Sequence, residues 1–412
     1  MRSVPRQYRR TALIAVILAL QAPFAAADVL TEWNVKANEI VVDARMGPPI
    51  ANRMMAILYT AAFEATNAIS KRYPPGRLAL DAAPGASAEA AVAAVHRLVL
   101  SKAMPPQQGA IDALYQAALA KVPEGAARAA GVALGEKAAQ AVLDACADDG
   151  FNGPEAYRPD TAPGRYVPTA MVAVPHWPQR RPWLMSSASQ LRPSAAPPDL
   201  KSEQWAREYN EIKAMGARAG SRRSAEQTQI AAFWEATLPS IYHGVVRSVA
   251  DQSGRDLTQN ARLFAAVGQA SDDALVAVFD AKYHYNFWRP VTAIRNGDTD
   301  GNDATERDAS WLPFIDTPMH PEYPCAHCTV AGAVGAVLRA EIGSGTTPRL
   351  ATTSYTARGV TRSWTSVDDF VQEVAMARIY DGVHYRFSTE VGNTLGRRVG
   401  ELAAGKLMQT PR

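Results

Sequence analysis

Residues 282–290, which read Lys-Tyr-His-Tyr-Asn-Phe-Trp-Arg-Pro, are the stretch from which the rest of the chain can be interpreted. Lys282 and Arg289 are seven residues apart, which is two helical turns, so a continuous helix would project both cations from nearly the same face. Pro290 disfavours helical geometry at Arg289 and places its guanidinium near a helix end. The preceding residues 257–281 are apolar on nearly every face, which predicts a central buried helix. Two cations at the end of a buried helix need a counter-charge, so we expect an anion there.

The N-terminal segment predicts export. Four arginines in the first ten residues precede an apolar run, Ala12 to Leu20, and then three alanines that end at Ala27. This is the layout of a secretory signal peptide over residues 1–27, and the apolar run is too short to span a bilayer. We therefore expect a mature chain that is soluble and either periplasmic or secreted.

The charge balance excludes some partners. Removing the four arginines of the leader leaves 39 of the 43 basic residues against 40 acidic ones, so the mature chain is close to neutral. Nucleic-acid binding and attraction to anionic membranes lose their main support. No later apolar stretch reaches transmembrane length, so stable membrane insertion is not expected either.

Helical spacing of apolar residues dominates the mature chain and predicts an all-α fold. No run shows the sustained alternation of a strand. Two long segments, residues 151–200 and 296–324, have no helical pattern. The first is expected either to line a functional site or to wrap the surface. Residues 298–303 of the second, Asp-Thr-Asp-Gly-Asn-Asp, are similar to a calcium loop, but the glutamate that ends such a loop is not in register. The helices are predicted at residues 50–69, 87–104, 107–122, 126–147, 203–215, 224–237, 257–281, 329–342 and 366–378.

Further chemistry lies beyond Pro290. Pro324 to Cys328 reads Pro-Cys-Ala-His-Cys and precedes a predicted helix from about Thr329. His327 then lies in a first turn, where unpaired N–H groups and the helix dipole favour an anion. Arg378 and His384, spaced as Arg-x5-His, follow the helix predicted at residues 366–378. The ordered set Lys-x6-Arg-Pro, Pro-x-x-His and Arg-x5-His is far more specific than any of its members.

These three motifs resemble those of the phosphatidic acid phosphatase type 2 and vanadium haloperoxidase superfamily, which are Lys-x6-Arg-Pro, Pro-Ser-Gly-His and Ser-Arg-x5-His. The amino-acid sequences of residues 282–295 and 320–324 are most similar to those of the soluble bacterial haloperoxidase-related branch of this superfamily. The resemblance extends over nearly all of the mature chain. It implies one all-helical domain over residues 28–412, built around two four-helix bundles, with the catalytic motifs in residues 282–384.

The resemblance also implies roles for the motif residues. His384 would be the apical ligand of vanadate, or the nucleophile towards a phosphoryl group. His327 would be the acid/base group, and Lys282 would polarise hydrogen peroxide. Vanadate is the implied cofactor, with phosphate able to occupy the same site. The implied cofactor-binding set is Lys282, Arg289, Cys325, Ala326, His327, Arg378 and His384.

The chain departs from the superfamily's motifs at several positions. Cys325 and Ala326 stand where the second motif has serine and glycine, and Ala377 replaces the serine of the third. A thiol is a poorer hydrogen-bond donor than a hydroxyl. Ser388 occupies the position where phosphatases often carry an aspartate that orients the histidine. We therefore expect weaker orientation of His384.

Three functions remain open at this point. The leading hypothesis is a vanadate-dependent haloperoxidase acting on hydrogen peroxide and halide. The alternatives are an acid phosphatase acting on phosphate esters and an oxyanion-binding protein that has lost its chemistry. Cys325 and Cys328 are also spaced like a redox motif, but no strand precedes them and no βαβ pattern surrounds them. A free thiol beside an oxidising site would itself be oxidised, so either the two form a disulfide or the chain is no efficient haloperoxidase.

The remaining histidines and one tryptophan are less informative. His96 and His176 are expected to be structural, and His243 and His284 to pack or support the site. His320 could line the pocket. Trp288, beside Arg289, is either a wall of the oxyanion site or part of the core.

Overall fold

The computed structural model describes residues 28–408, so the predicted leader lies outside the described residues. Thirteen α-helices, three 3-10 helices of three residues each and one two-stranded hairpin make up the regular structure of this range, which confirms the all-α prediction. The elements are α1 (Val29–Asp43), α2 (Pro48–Ser70), α3 (Ala88–Ala103), α4 (Gln108–Ala120), α5 (Ala126–Ala145), α6 (Glu203–Met215), α7 (Ala225–Trp234), α8 (Pro239–Ala250), α9 (Leu257–Tyr285), α10 (Pro290–Arg295), α11 (Ala326–Ile342), β1 (Leu350–Thr353), β2 (Thr361–Trp364), α12 (Val367–Tyr380) and α13 (Arg386–Leu407).

Helix α9 is the central helix that the sequence predicts. It begins with a capping box, in which Asp256 accepts from the N–H of Gln259 and the Gln259 side chain accepts from the N–H of Asp256. Buried residues then follow on every face from Thr258 to Lys282. A helix that is apolar all round must be covered on all sides. Neighbouring helices provide that cover.

The helices pack in two groups that share α9. One group is α2, α3 and α5 with α9, and the other is α11, α12 and α13 with α9. This agrees with the predicted pair of bundles, except that one long helix belongs to both. Helices α11 and α13 approach closely because Gly396 faces the α11 backbone, where an added Cβ would lie 1.9 Å from the carbonyl oxygen of Thr329.

Lys282 and Arg289 do not share a helix, so the two-turn argument for their convergence is wrong. Helix α9 ends at Tyr285 because Asn286 adopts a left-handed conformation with φ of 49°, which asparagine tolerates better than most residues. Arg289 is extended immediately before Pro290 of α10, as the proline predicts. The segment between them pairs with an irregular stretch, since the N–H of Trp288 donates to the carbonyl of Gly164.

The irregular segment 151–200 wraps the buried face of α9 and also reaches the cavity described below. Arg180 donates to Asp272 at 2.7 Å and to Asp149 at 2.9 Å, with all three side chains buried. Asp273 accepts three backbone N–H bonds from residues 183–185. Burial still raises the pKa of Asp273 to about 6. These carboxylates tie the wrap to the central helix.

Helices α1, α8, α10 and α13 lie outside the ranges predicted as helical. The hairpin of β1 and β2, which pairs Leu350 with Trp364, was not predicted because four-residue strands are too short to show alternation. Residues 298–303, the segment similar to a calcium loop, do not form a metal-binding group. Among residues 28–408, no three His, Cys, Asp or Glu side chains are arranged so that they could hold a metal ion. Asp300 instead accepts from the indole N–H of Trp205 and the hydroxyl of Thr305.

Between residues 28 and 408, no helix combines the length and apolar character that crossing a bilayer requires.

Candidate functional site

A cavity of about 260 Å³ collects residues from the second and third motifs. His327, Arg378 and His384 line it, together with Ala326 and His320. Its other walls are mostly apolar and come from α2, α8, α9 and α11 and from loop residues that include Pro318 and Met319. Lys282 and Arg289 are almost completely buried behind these residues. The five charged or titratable motif residues therefore come together, although only three of them face the cavity directly.

His384 has both ring nitrogens in defined contacts. Nδ1 lies 2.7 Å from Oε1 of Glu322, and Nε2 lies 3.3 Å from Nη1 of Arg289. A carboxylate accepts and a guanidinium donates, so the contacts fit the tautomer with hydrogen on Nδ1 and the lone pair on Nε2. Burial, with Arg289 and Lys282 nearby, lowers the pKa of His384 well below its usual value. The imidazole is therefore neutral and offers a free nitrogen.

Glu322 is the site residue that sequence reasoning missed. Its side chain is fully buried, and Oε1 accepts from the ring of His384 and from the N–H of Tyr385. Burial raises its pKa to about 7, while Lys282 and Arg289 act in the opposite direction. The counter-charge expected for the two cations is thus partly a protein carboxylate. The one available signal was an acid in the His-Pro-Glu-Tyr-Pro string directly before the second motif.

Lys282 is held by the chain segment that carries Glu322. Its Nζ donates to the carbonyl oxygens of Pro321 at 2.9 Å and Glu322 at 2.8 Å. An ammonium has three N–H bonds, so one remains for another acceptor. Burial and, second, Arg289 lower the pKa of Lys282 well below its usual value. A bound anion would oppose that shift.

The guanidinium of Arg289 makes several hydrogen bonds next to His384. It donates to the carbonyl oxygens of His320 and Val383, and Nη2 lies 2.9 Å from Nδ1 of His320. Burial lowers its pKa to about 10, which still leaves it protonated at neutral pH. Arg289 therefore orders His320 and the backbone beside His384 at the same time.

Arg378, the third cation, keeps unused donors. Its Nη1 donates to the carbonyl of Trp234 at 3.0 Å and to Asp381 at 2.6 Å, whereas buried Nε has no partner among the described residues. Burial raises the pKa of Asp381 to about 7 despite this ion pair. The three cations thus face two carboxylates whose ionisation is opposed by burial, which leaves positive charge for an anion to neutralise.

The N-terminus of α11 supplies further donors. The helix begins at Ala326, three residues earlier than predicted, and His327 lies in its first turn as expected. Within residues 28–408, no backbone acceptor is bonded to the N–H groups of Ala326 and His327. His327 Nε2 lies 3.2 Å from the carbonyl of Ala236, so it donates there and leaves the lone pair on Nδ1. Burial and Arg378 lower the pKa of His327.

Cys325 has a structural place in this site. It forms a disulfide with Cys328 and caps α11 by accepting from the N–H of Cys328. Its own N–H donates to the carbonyl of Ser388. Neither the sulfur nor the backbone of Cys325 therefore offers a hydrogen to an oxyanion. The disulfide also settles which of the two cysteine states occurs, and Cys146 remains as a buried thiol.

Thiol titration should give one reactive thiol per chain after unfolding without reductant, because disulfide sulfur does not react with thiol reagents. Reduction of the unfolded chain should raise the count to three. Cys146→Ser should lower the unreduced count to zero, which serves as the control. Three thiols in the unreduced protein would contradict the disulfide.

Comparisons with known proteins agree with this architecture. The family model described as the VCPO second helical-bundle domain matches residues 262–411. Vanadium chloroperoxidase from Curvularia inaequalis is 31% identical over 177 residues, which are 35% of this chain and 29% of the length of that protein. The structure of a bacterial vanadium-dependent iodoperoxidase superposes with a TM-score of 0.80 and 25% identity, covering 93% of this chain and 97% of that one.

Residues 262–411 therefore match the second helical-bundle domain of the vanadium chloroperoxidase family, and the fold of residues 28–408 is that of vanadium haloperoxidases. A bacterial vanadium-dependent chloroperoxidase, at 18% identity and a TM-score of 0.71 over 88% of this chain and 93% of that one, supports the fold alone.

A carboxylate, and not Ser388, makes the shorter contact with the third-motif histidine. Ser388 Oγ lies 3.4 Å from Nδ1 of His384, whereas the Glu322 carboxylate lies 2.7 Å from the same nitrogen. The expected weaker orientation of His384 is therefore wrong. The carboxylate that contacts Nδ1 of His384 comes from the segment before the second motif.

Of the other histidines and Trp288, only His320 lies at the cavity. His320 lines the cavity, as it could, and its ring packs against Phe279. Trp288 belongs to an aromatic core cluster, where it stacks on Trp205. The remaining histidines make local contacts away from the cavity: His96 with Val92, His176 with Phe151, His243 with Asn34 and Asn38, and His284 with Arg192.

Proposed function

We propose that this chain is a vanadate-dependent haloperoxidase that oxidises halide with hydrogen peroxide. The observation that carries the proposal is the lone pair on Nε2 of His384, buried beside cations and fixed in place by Glu322. Relatives described as vanadium chloroperoxidase and iodoperoxidase point to the same chemistry. The assay described below tests which halide is oxidised.

The residues present fit a vanadate. A tetrahedral oxyanion needs one basic ligand atom and several fixed donors for its oxygens. His384 would supply the ligand atom, in exchange for its contact with Arg289 Nη1. Among residues 28–408, Lys282 donates only two of its three N–H bonds, buried Nε of Arg378 has no partner, and the N–H groups of Ala326 and His327 have no backbone acceptor. A buried donor without a partner raises the free energy of the unliganded protein. An anion bound here would accept hydrogen bonds from these donors and remove that cost.

The residues that line or adjoin the cavity then have distinct roles. When bound, vanadate would activate hydrogen peroxide for two-electron oxidation of halide. His327 is neutral, and its Nδ1 can accept a proton from peroxide. A bound anion raises the pKa of His327, which lets the ring hold that proton and return it. Lys282 and Arg378 stabilise negative charge, and the apolar wall of Leu275, Phe279 and Val330 limits water.

Acid phosphatase activity is a second candidate, because a carboxylate paired with a histidine is also suited to nucleophilic catalysis. Glu322 holds the proton on Nδ1 and stabilises the charge that develops when Nε2 attacks phosphorus. His327 would then protonate the leaving oxygen. The cations would serve a phosphoryl group as they would serve vanadate, since both present equatorial oxygens. The two candidates therefore differ in substrate and share one site.

An assay with and without vanadate tests the proposal. Protein freed of vanadate and phosphate is expected to oxidise iodide, bromide or chloride with hydrogen peroxide only after vanadate is added, and excess phosphate should inhibit by competition. Hydrolysis of 4-nitrophenyl phosphate that vanadate inhibits would instead support the phosphatase. No turnover in either assay, with an oxyanion bound, would contradict both and leave an oxyanion-binding protein.

We further propose that residues 28–412 act as one exported domain. The Cys325–Cys328 disulfide is consistent with an oxidising compartment such as the periplasm or the exterior. Mass spectrometry of the exported protein should give a chain that begins at Asp28. A mature protein that retains the first 27 residues would contradict the predicted cleavage.

A further inference from the structure

A second cleft lies next to the catalytic cavity. It encloses about 660 Å³, and Pro318 and Met319 line both spaces, so these two residues form a shared wall. Arg289, whose guanidinium contacts His384, also lines the cleft. A molecule in the cleft would therefore sit beside the catalytic site without entering it.

The cleft carries more positive than negative charge. Arg218, Arg289 and Arg295 line it, against one acid, Asp316, whose side chain is fully exposed. Arg218 is paired with Asp316 at 3.0 Å. Arg295 donates through Nε to the carbonyl of Trp311, and its two terminal amino groups have no acceptor within residues 28–408. That leaves the terminal edge of one guanidinium free, which suits a planar carboxylate.

One part of the cleft is apolar. Val291, Leu312 and Met319 contribute side chains to it. Leu312 is 42% exposed and Met319 is 48% exposed, and both are among the few large apolar side chains that the described surface leaves open. Exposed apolar surface beside unpaired donors is typical of a ligand site.

We propose that this cleft binds an organic carboxylate with an apolar body, such as an arylalkanoic acid. The carboxylate pairs with Arg295, and the apolar body covers Leu312, Met319 and Val291. An inorganic anion would leave the apolar wall exposed, and a neutral hydrocarbon would leave Arg295 unpaired. Each half of the cleft thus selects one half of the ligand. The proposal goes beyond halide oxidation and does not depend on it.

Calorimetric titration of the full mature protein with 4-phenylbutyrate tests the proposal in saturating phosphate, which fills the catalytic site. Binding is expected for the acid and about tenfold weaker for its neutral amide, 4-phenylbutanamide, because the amide lacks the charge that Arg295 pairs with. Arg295→Gln should remove this preference by weakening the acid alone. Leu312→Asn should weaken acid and amide alike, since it removes apolar contact area.

Two further variants keep the test decisive. Asp316→Asn removes the one acid and frees Arg218, so it should tighten binding of the acid about threefold. Arg398→Gln, on the exposed surface of α13 and away from the cleft, should change nothing. The proposal is overturned if phosphate abolishes binding of the acid, if acid and amide bind equally, or if Arg295→Gln behaves like Arg398→Gln. None of these results depends on whether the protein oxidises halide.

Discussion

Replacing His384 with alanine is expected to reduce vanadate-dependent halide oxidation by about a thousandfold or more, because it removes the ligand atom on which the proposed chemistry depends. The cations and the α11 N-terminus remain, so weak binding of phosphate should persist. The measurement is peroxide-dependent oxidation of iodide at saturating vanadate, with circular dichroism to confirm the fold. Added imidazole should restore part of the activity, because it can enter the space that the side chain leaves.

His284→Ala is the matched control for that experiment. His284 is an exposed histidine near the end of α9, within the first motif, and its ring contacts Arg192. Its removal should leave turnover within about twofold of the wild type. Equal losses in the two variants would point to a structural effect, and full activity of His384→Ala would refute the assignment of His384.

Replacing Glu322 with glutamine is expected to lower turnover by about ten- to a hundredfold, because a neutral amide supports the developing charge on His384 less well than a carboxylate. Affinity for phosphate should stay equal or rise, since the variant removes a negative charge from the surroundings of an anion. A purely structural role for Glu322 would weaken turnover and affinity together. The two readouts therefore separate positioning from folding.

The effect of Glu322→Gln should depend on pH. Burial raises the pKa of Glu322 to about 7, so the carboxylate is protonated below that pH and ionised above it. The ratio of wild-type to variant turnover should consequently be small in acid and grow as pH rises through about 7. Taking the ratio cancels the ionisation of vanadate and peroxide, which is common to both proteins.

Glu64→Gln provides the control for burial. Glu64 of α2 is also buried and accepts backbone N–H bonds, from Arg77 and Leu78, outside the cavity. Its substitution should cost stability without changing the pH dependence of turnover. A flat ratio for Glu322→Gln, or the same pH dependence in both variants, would mean that Glu322 does not position His384.

The sequence predicted those parts of the fold that follow from periodicity. Helix α9 was recognised because apolar residues cover every face, and the spacing of the three motifs identified the cavity residues His327, Arg378 and His384. The prediction that Arg289 lies at a helix end was also confirmed, since proline constrains the residue before it. These features depend on local chemistry that the chain shows directly.

Other features could not be predicted because they depend on tertiary contacts. The end of α9 at Asn286 separates Lys282 from Arg289. Asparagine can adopt a left-handed conformation but also occurs within helices, so the sequence does not show that the helix ends there. Glu322 is 62 residues from His384 in the chain, and no local pattern links them. Ser388 was expected to affect the orientation of His384 because phosphatases often carry an aspartate at that position of the motif. The chain provides the carboxylate from another segment, which only the folded arrangement reveals.

The cysteines mark the same limit. Their spacing allowed a disulfide, free thiols or a redox motif, and the sequence offered no means of choosing. The structure joins Cys325 to Cys328 at the start of α11, beside the N–H groups of Ala326 and His327, which have no backbone acceptor within residues 28–408. Backbone donors thus remain at the second motif although its serine hydroxyl is absent. The proposed anion site therefore keeps donors at the second motif despite the departures there.

The central claim is that one oxyanion binds at Nε2 of His384 among Lys282, Arg289 and Arg378. A crystal structure of the protein soaked with vanadate tests it most directly. We expect vanadium bonded to Nε2, the three cations within hydrogen-bond distance of its oxygens, and Glu322 still accepting from Nδ1. Vanadium bound elsewhere, or an unchanged contact between Arg289 and His384 at saturating vanadate, would contradict the claim.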